Sequence, residues 1–290
     1  VRRPGCGSVP EGDSVWRQAR DLNAALGGQV LSGCDFRVPS LATVDFTGRT
    51  VQSVTSRGKH LMMLLPGPST GRPDAVIHSH LAMEGHWDIY VSGNTAGARH
   101  GTVPKWRRPA HTARAVLSTA GAVAVGFSLA TLEVLSVEEA ETAVAHLGPD
   151  LLGPDWDAEE ALRRLLSAPQ RPVGLALLDQ RNLAGIGNIY RNELCFLGGV
   201  HPGTPVAEVA GLPRIVGLAK RLLEANKDRF RSTTGGPARG DAALWVYGLA
   251  GKPCKRCGSL IRQAKQGDPE FPLRAPRDIY WCPRCQPVER

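Results

Sequence analysis

Apolar residues first recur at helical spacing between Ser14 and Leu26, where Val15, Ala19, Leu22 and Leu26 share one face. Asp13 or Ser14 can cap that helix and Gly27-Gly28 can end it. From Val30 to about Leu135 the pattern shortens to β-rich runs broken by Gly and Pro, including 51–54, 61–65, 75–78, 87–91 and 113–117. Such runs predict an antiparallel sandwich or barrel. Residues 93–109 are polar, contain glycine and carry Lys105, Arg107 and Arg108, as an exposed loop would. Near Ser136 the character turns helical. Asp157 with Glu160 forms a capping-box-like start to a helix through Leu166, and Pro172 to Gln180, Ile186 to Leu197 and Pro213 to Phe230 are further helical stretches. Residues 1–9 show no periodicity and read as an unstructured leader. No internal repeat or low-complexity tract is present.

Composition narrows the class. The chain has 290 residues, of which 42% are hydrophobic, enough for a buried core. No apolar run approaches the ~18 residues of a membrane span, and the N-terminus lacks the apolar segment of a secretory signal. A cytoplasmic protein without a membrane partner is expected. The formal charge of +8 is uneven: residues 214–290 hold 16 Lys and Arg against 7 Asp and Glu, a balance of +9, leaving −1 for residues 1–213. A basic end on a neutral body points to a polyanion, most often nucleic acid.

Four of the seven cysteines form two pairs, Cys254-x2-Cys257 and Cys282-x2-Cys285, separated by 24 residues. Four soft thiolates at this spacing can close a tetrahedral Zn²⁺ site of structural type. Two disulfides are the alternative, disfavoured in a reducing compartment. The separation implies a longer hairpin than the commonest zinc ribbon has. Cys6, Cys34 and Cys195 have no partner pattern and read as ordinary thiols.

Three separated segments carry the chemistry. They are Pro10-Glu11-Gly12-Asp13 ahead of the first helix, the stretch 179–190 (DQRNLAGIGNIY), and Cys254-Lys255-Arg256-Cys257 with the later run 277–286 (RDIYWCPRCQ). In this order they resemble the formamidopyrimidine-DNA glycosylase / endonuclease VIII family of base-excision repair. The resemblance runs from Pro10 to about Gln286. Ser56-Arg57-Gly58-Lys59 and Tyr280-Trp281-Cys282-Pro283 look closer to the bacterial endonuclease VIII branch.

The resemblance implies an α+β, multidomain architecture: an N-terminal antiparallel β-sandwich with a flanking helix (10–135), a helical helix–two-turns–helix domain (136–238) and a C-terminal zinc β-hairpin (239–290). It implies a bifunctional DNA glycosylase and AP lyase that removes oxidised bases, pyrimidines foremost, and cleaves the strand by β/δ elimination. Pro10 matches the family nucleophile, a secondary α-amine whose pKa lies about two units below that of lysine. That chemistry needs a free amine, so the mature chain is expected to begin at Pro10, with the codon written Val9 read as an initiator Met and then removed. Glu11 matches the acid/base, and Lys59 and Arg277 match proton donors or phosphate contacts. Asn188, in the Gly185-Ile186-Gly187-Asn188 turn, matches a phosphate-positioning residue. Met83 matches the wedge that fills the gap left by the extruded nucleotide.

The sequence departs from the family at Ala82, Glu84 and Ser14, and no second gap-filling residue is evident. His111 is expected to contact DNA. For Trp106, stacking on DNA and a solvated loop position both stand open. His78 and His80 share a strand face without further metal ligands, so packing or hydrogen bonding is expected of them. The implied partner is damaged DNA, the cofactor one structural Zn²⁺, and the protein a nucleoid-associated monomer. The rival reading is a non-catalytic zinc-ribbon DNA-binding protein of the same fold.

Overall fold

In the computed structural model the described residues are 10–67, 73–91, 105–229, 234–235 and 244–287. The leader 1–9 with Cys6, most of the 93–109 loop, and Phe230 lie outside them. The chain divides into two compact units. One comprises Pro10 and residues 14–146; the other comprises residues 147–290 together with Glu11 to Asp13.

The first unit holds two four-stranded antiparallel sheets. The strands are β1 (Gly33–Phe36), β2 (Ser53–Arg57), β3 (His60–Leu65), β4 (Ala75–His80), β5 (His86–Val91), β6 (Ala113–Ser118), β7 (Ala122–Phe127) and β8 (Thr131–Leu135). One sheet runs β1-β6-β7-β5 and the other β2-β3-β4-β8. Alternation in β3 sends Leu61, Met63 and Leu65 into the same core as Ile77, Trp87, Leu117 and Ala124. Helix α1 (Gly12–Leu26) adds Val15, Ala19, Leu22 and Leu26 to that core. Gln18 Oε1 accepts the Trp87 N–H at 2.8 Å and Asn23 Oδ1 accepts the Val54 N–H at 2.8 Å, so α1 is pinned to a strand of each sheet. Helix α2 (Val137–Val144) carries a complete capping box between Ser136 and Glu139 and packs on β4 and β8.

The second unit is helical. Helices α3 (Ala158–Leu166), α4 (Val173–Leu178), α5 (Asn188–Gly198) and α6 (Leu212–Asn226) bury Leu165, Leu177, Tyr190, Leu194, Ile215 and Leu223 together. An antiparallel hairpin of β9 (Arg262–Gln266) and β10 (Arg277–Trp281) follows. No helix among the described residues is long and apolar enough to cross a membrane.

The periodic elements fall where their patterns put them, and the differences are local. Helix α1 starts at Gly12, so Asp13 and Ser14 lie inside it rather than at its N-cap; the Asp13 carboxylate accepts the Tyr190 hydroxyl at 2.8 Å. Asp157 caps α3 by accepting the Glu159 and Glu160 N–H groups, but Glu160 does not complete a box. Its carboxylate is taken by Arg163 at 2.6 Å and Arg164 at 2.5 Å, charged partners that outcompete a backbone N–H. Helix α5 starts two residues after Ile186, because Gly187 is extended and serves as its N-cap.

Candidate active site

The turn between α4 and α5 is built from side chains that replace missing backbone bonds. Gln180 Nε2 donates to the Leu178 and Ile186 carbonyls at 2.8 Å each, while its Oε1 accepts the Gly185 N–H at 3.0 Å. The N-cap glycine of α5 offers no side chain, so the first N–H groups of the helix need another acceptor. Glu11 is that acceptor. Its carboxylate, 2% exposed, takes the Ile189 N–H at 2.6 Å on Oε1 and the Gly187 and Tyr190 N–H groups at 2.8 and 3.2 Å on Oε2. A carboxylate at a helix N-terminus is also favoured by the aligned peptide dipoles.

Two glycines make this approach possible. A Cβ on Gly187 would sit 2.5 Å from the Glu11 carboxyl carbon. One on Gly12 would sit 2.8 Å from the Gly185 Cα, at the point where the Gly12 N–H donates to the Gly185 carbonyl at 2.8 Å. Pro10 directly precedes Glu11 in the chain, so the residue assigned as nucleophile is bonded to one that α5 holds by three hydrogen bonds.

The same helix organises the hairpin. Asn188 Nδ2 donates to the Asp278 carbonyl at 3.1 Å, and Asn192 Oδ1 accepts the Tyr280 N–H at 2.7 Å. Between them lies Arg191, fully buried, which donates to the Asp278 carbonyl at 2.8 Å, to Gln266 Oε1 at 3.1 Å, and to Asn188 Oδ1. Burial, with the nearby Arg277 cation adding to it, brings its pKa down to about 10, which leaves it charged at neutral pH. Sequence reasoning missed Arg191. The available signal was an arginine three residues after Asn188, on the same helix face. Arg277 opens β10 opposite Gln266 and is exposed, with no side-chain hydrogen bond among the described residues.

In the first unit, Lys59 sits half-buried in the β2–β3 turn beside Gly58, whose φ of +56° suits glycine. Three histidines adjoin it. His60 Nδ1 and His78 Nε2 are 2.9 Å apart, and His78 Nδ1 lies 3.1 Å from Glu133 Oε2. His80 Nδ1 accepts the Ala82 N–H at 3.1 Å. Both expected strand histidines are therefore hydrogen-bonded, and the only metal-competent group among the described residues is the cysteine cluster. Burial first, then neighbouring imidazoles and Lys59, pushes His60 to about 3; burial and Lys59 push His80 to about 4.

Met83 stands 61% exposed in the turn after β4, outside the core. Ala82 takes a left-handed φ of +49°, and the Gly85 N–H closes the turn on the Leu81 carbonyl at 2.8 Å. His111 is exposed in a short turn before β6. Trp106 is half-buried. It packs edge-on against Phe127 at 5.6 Å, under the Arg37 guanidinium at 4.9 Å.

Cys254, Cys257, Cys282 and Cys285 bring their Sγ atoms within 4.8 Å of one another. The Cys254–Cys285 pair is at 4.0 Å and the Cys257–Cys282 pair at 3.4 Å, too long for disulfides. A tetrahedral site with Zn–S bonds of ~2.3 Å has edges of about 3.8 Å. The four thiols fit such an ion. Cys34 and Cys195 stand apart from them as free thiols.

Residues 9–128 match the family model of the formamidopyrimidine-DNA glycosylase N-terminal domain, and residues 147–224 that of the formamidopyrimidine-DNA glycosylase H2TH domain. The chain is 51% identical to the probable endonuclease 8 2 of Streptomyces coelicolor, over 96% of this chain and 94% of that protein. It is 46% identical to the DNA-(apurinic or apyrimidinic site) lyase Nei2 of Mycolicibacterium smegmatis, covering 96% and 99%. The architecture matches crystal structures of Lactococcus lactis Fpg with an abasic-site DNA (TM-score 0.73, 23% identity) and with an N7-benzyl-Fapy-dG DNA (TM-score 0.71, 24% identity), over 96% of this chain and 100% of each. Sandwich, two-turn helix pair and cysteine hairpin thus recur together, and the chain belongs to the formamidopyrimidine-DNA glycosylase family, within which its relatives are named endonuclease 8 and DNA-(apurinic or apyrimidinic site) lyase.

Proposed function

We propose that this protein is a bifunctional DNA glycosylase and AP lyase of base-excision repair, acting on oxidised pyrimidines. The observation that carries the reading is the Glu11 carboxylate, fixed by three N–H groups at the start of α5 beside a proline in nucleophile position. In a mature chain beginning at Pro10, the secondary amine attacks C1′ of the damaged nucleoside and the base departs. The resulting iminium acidifies C2′; loss of that proton expels the 3′ phosphate, and a second elimination can release the 5′ phosphate. Free α-amines titrate near pH ~8, so a useful fraction is nucleophilic at neutrality.

Glu11 exchanges protons with the opening sugar. Lys59 and Arg277 contact phosphates and assist the eliminations, Asn188 and the α5 N-terminus orient the backbone, and Met83 occupies the gap left by the extruded nucleotide. His111 contacts DNA from the edge of β6. One Zn²⁺ on the four cysteines serves a structural role, holding the hairpin that carries Arg277. The protein acts as a monomer on chromosomal DNA in the cytoplasm.

The test is a set of duplexes each bearing one lesion, incubated with protein whose N-terminal residue has been verified as Pro10. Excision and strand cleavage at an oxidised pyrimidine, with an undamaged duplex left intact, is the expected result. Binding to every duplex with cleavage of none would instead support the zinc-ribbon binder.

A further inference from the structure

Strands β3, β4 and β8 lie side by side, and their alternation puts Leu61, Ile77 and Val134 on the face that packs into the sandwich core. The opposite face carries His60, His78 and Glu133. The register sets His78 directly across from Glu133, and His60 across from His80, two residues further along β4. His78 Nδ1 lies 3.1 Å from Glu133 Oε2, and His78 Nε2 lies 2.9 Å from His60 Nδ1. The three side chains therefore form one hydrogen-bonded line across three strands. Glu133 ends the line in solvent, its side chain 51% exposed, whereas His78 is 4% exposed.

The acceptor at the outer end sets the direction of the protons. A carboxylate has no hydrogen to give, so His78 Nδ1 donates to Glu133. A neutral ring protonated at Nδ1 presents a lone pair at Nε2, which accepts the His60 Nδ1–H. Each ring is thereby held in one tautomer and one orientation. Burial, with neighbouring imidazoles and Lys59, holds His60 near 3 and His80 near 4, so around neutral pH these two rings add no positive charge beside the lysine. A leucine at position 78 would fill the buried space without the desolvation cost of an imidazole, so packing alone does not account for the line.

The inner end of the line is the stem of a tight turn. Arg57 pairs with His60, so Gly58 and Lys59 are the two loop residues of the β2–β3 hairpin, with Gly58 at a φ of +56°. A loop of two residues has no slack, and the backbone of Lys59 goes where His60 is held. We propose that His78 and Glu133 are positioning residues for Lys59, acting through His60 to fix the turn from which the lysine reaches a phosphate. The proposal rests on the DNA-repair reading above, which gives Lys59 that contact. A satisfied polar line rigidifies the element it crosses, and misplacing a reacting group by about 1 Å can cost about 100-fold in rate.

The experiment measures single-turnover cleavage of an abasic-site duplex and of an oxidised-pyrimidine duplex by the zinc-loaded chain beginning at Pro10, at saturating protein, with thermal unfolding of every variant alongside. On the duplex whose cleavage Lys59→Ala slows, His78→Leu should slow cleavage about tenfold. Added to Lys59→Ala, the same substitution should cause no further loss, because its effect runs through the lysine. Glu133→Leu alters an exposed position and tests the line even if His78→Leu does not fold. It should slow the parent in the same direction, and Glu133→Gln, whose Oε1 still accepts the His78 N–H, should recover most of that loss. This pair also decides the matter where Lys59→Ala is too slow to follow.

A His78→Leu chain that unfolds at a lower temperature yet cleaves at the parental rate overturns the inference, since the line would then serve stability alone. So does a loss carried in full into the Lys59→Ala background, or equal rates for Glu133→Leu and Glu133→Gln. A parent chain that cleaves neither duplex would instead sink the DNA-repair reading itself, a separately readable failure.

Discussion

Replacing Glu11 by glutamine keeps the shape of the side chain and removes one acceptor. Oε2 accepts two N–H groups, those of Gly187 and Tyr190, and Oε1 accepts that of Ile189. The amide will therefore turn its oxygen to the pair and its NH2 to Ile189, leaving a buried N–H facing another donor. An unsatisfied buried donor costs about 1–3 kcal/mol, and loss of the charge at the helix N-terminus adds about 0.3–1 kcal/mol. The sum is roughly 1–4 kcal/mol. For a unit of this size each kcal/mol moves the midpoint by about 2–4 °C, so calorimetry should find the transition roughly 3–16 °C lower. Cleavage of an oxidised duplex, measured well below that midpoint, should fall at least about 100-fold if Glu11 also transfers protons. A midpoint within 1–2 °C of the parent (about the shift from half a kcal/mol) would refute the claim that this carboxylate caps α5. A lowered midpoint with undiminished cleavage would leave the cap and remove the acid/base role.

Gly187→Ala places a methyl carbon against the Glu11 carboxyl and should displace it, reproducing the stability loss of Glu11→Gln without touching a titratable group; thermal unfolding reads this directly. Stripping metal with a strong chelator should release one Zn²⁺ per chain, detected by a chromogenic indicator, and should abolish DNA binding. A content of zero metal in carefully purified active protein would contradict the structural site. Acidification should destabilise the first unit. His60 and His80 are held near 3 and 4 when folded and titrate near 6.5 when unfolded, so the unfolded chain takes up protons first as pH drops below 6.5. Stability is then lost progressively toward the folded values, by at most about 2 kcal/mol per imidazole at pH 5, and His60→Gln should flatten the dependence seen in urea titrations.

Much of this was legible in the chain because period and punctuation agree. Leucines at helical spacing ahead of Gly27-Gly28 dictate α1, and the β-rich runs dictate an antiparallel sandwich or barrel whichever residues pair. The cysteine pairs announce their own geometry. What sequence could not supply was partnership over long separations. Glu11 caps a helix that starts 177 positions later in the numbering, at Asn188, and nothing local to either segment records that bond. Arg191 reads as a surface cation until the hairpin carbonyl of Asp278 is set against it. Trp106 reads as a loop residue among basic neighbours until Phe127 is set edge-on against it. Asp13 likewise finds the Tyr190 hydroxyl 177 positions away, which no local pattern records.

The central claim is that an unblocked Pro10 nitrogen forms a covalent iminium with the damaged nucleotide. Reduction with borohydride during the reaction fixes that bond, and mass spectrometry of the digested adduct locates it. A protein–DNA species carrying the sugar on Pro10, formed by chains that begin there and absent from chains that retain Val9, is the expected result. A reduced adduct mapped to a lysine, or none at all from correctly processed protein on an abasic duplex, would contradict the account.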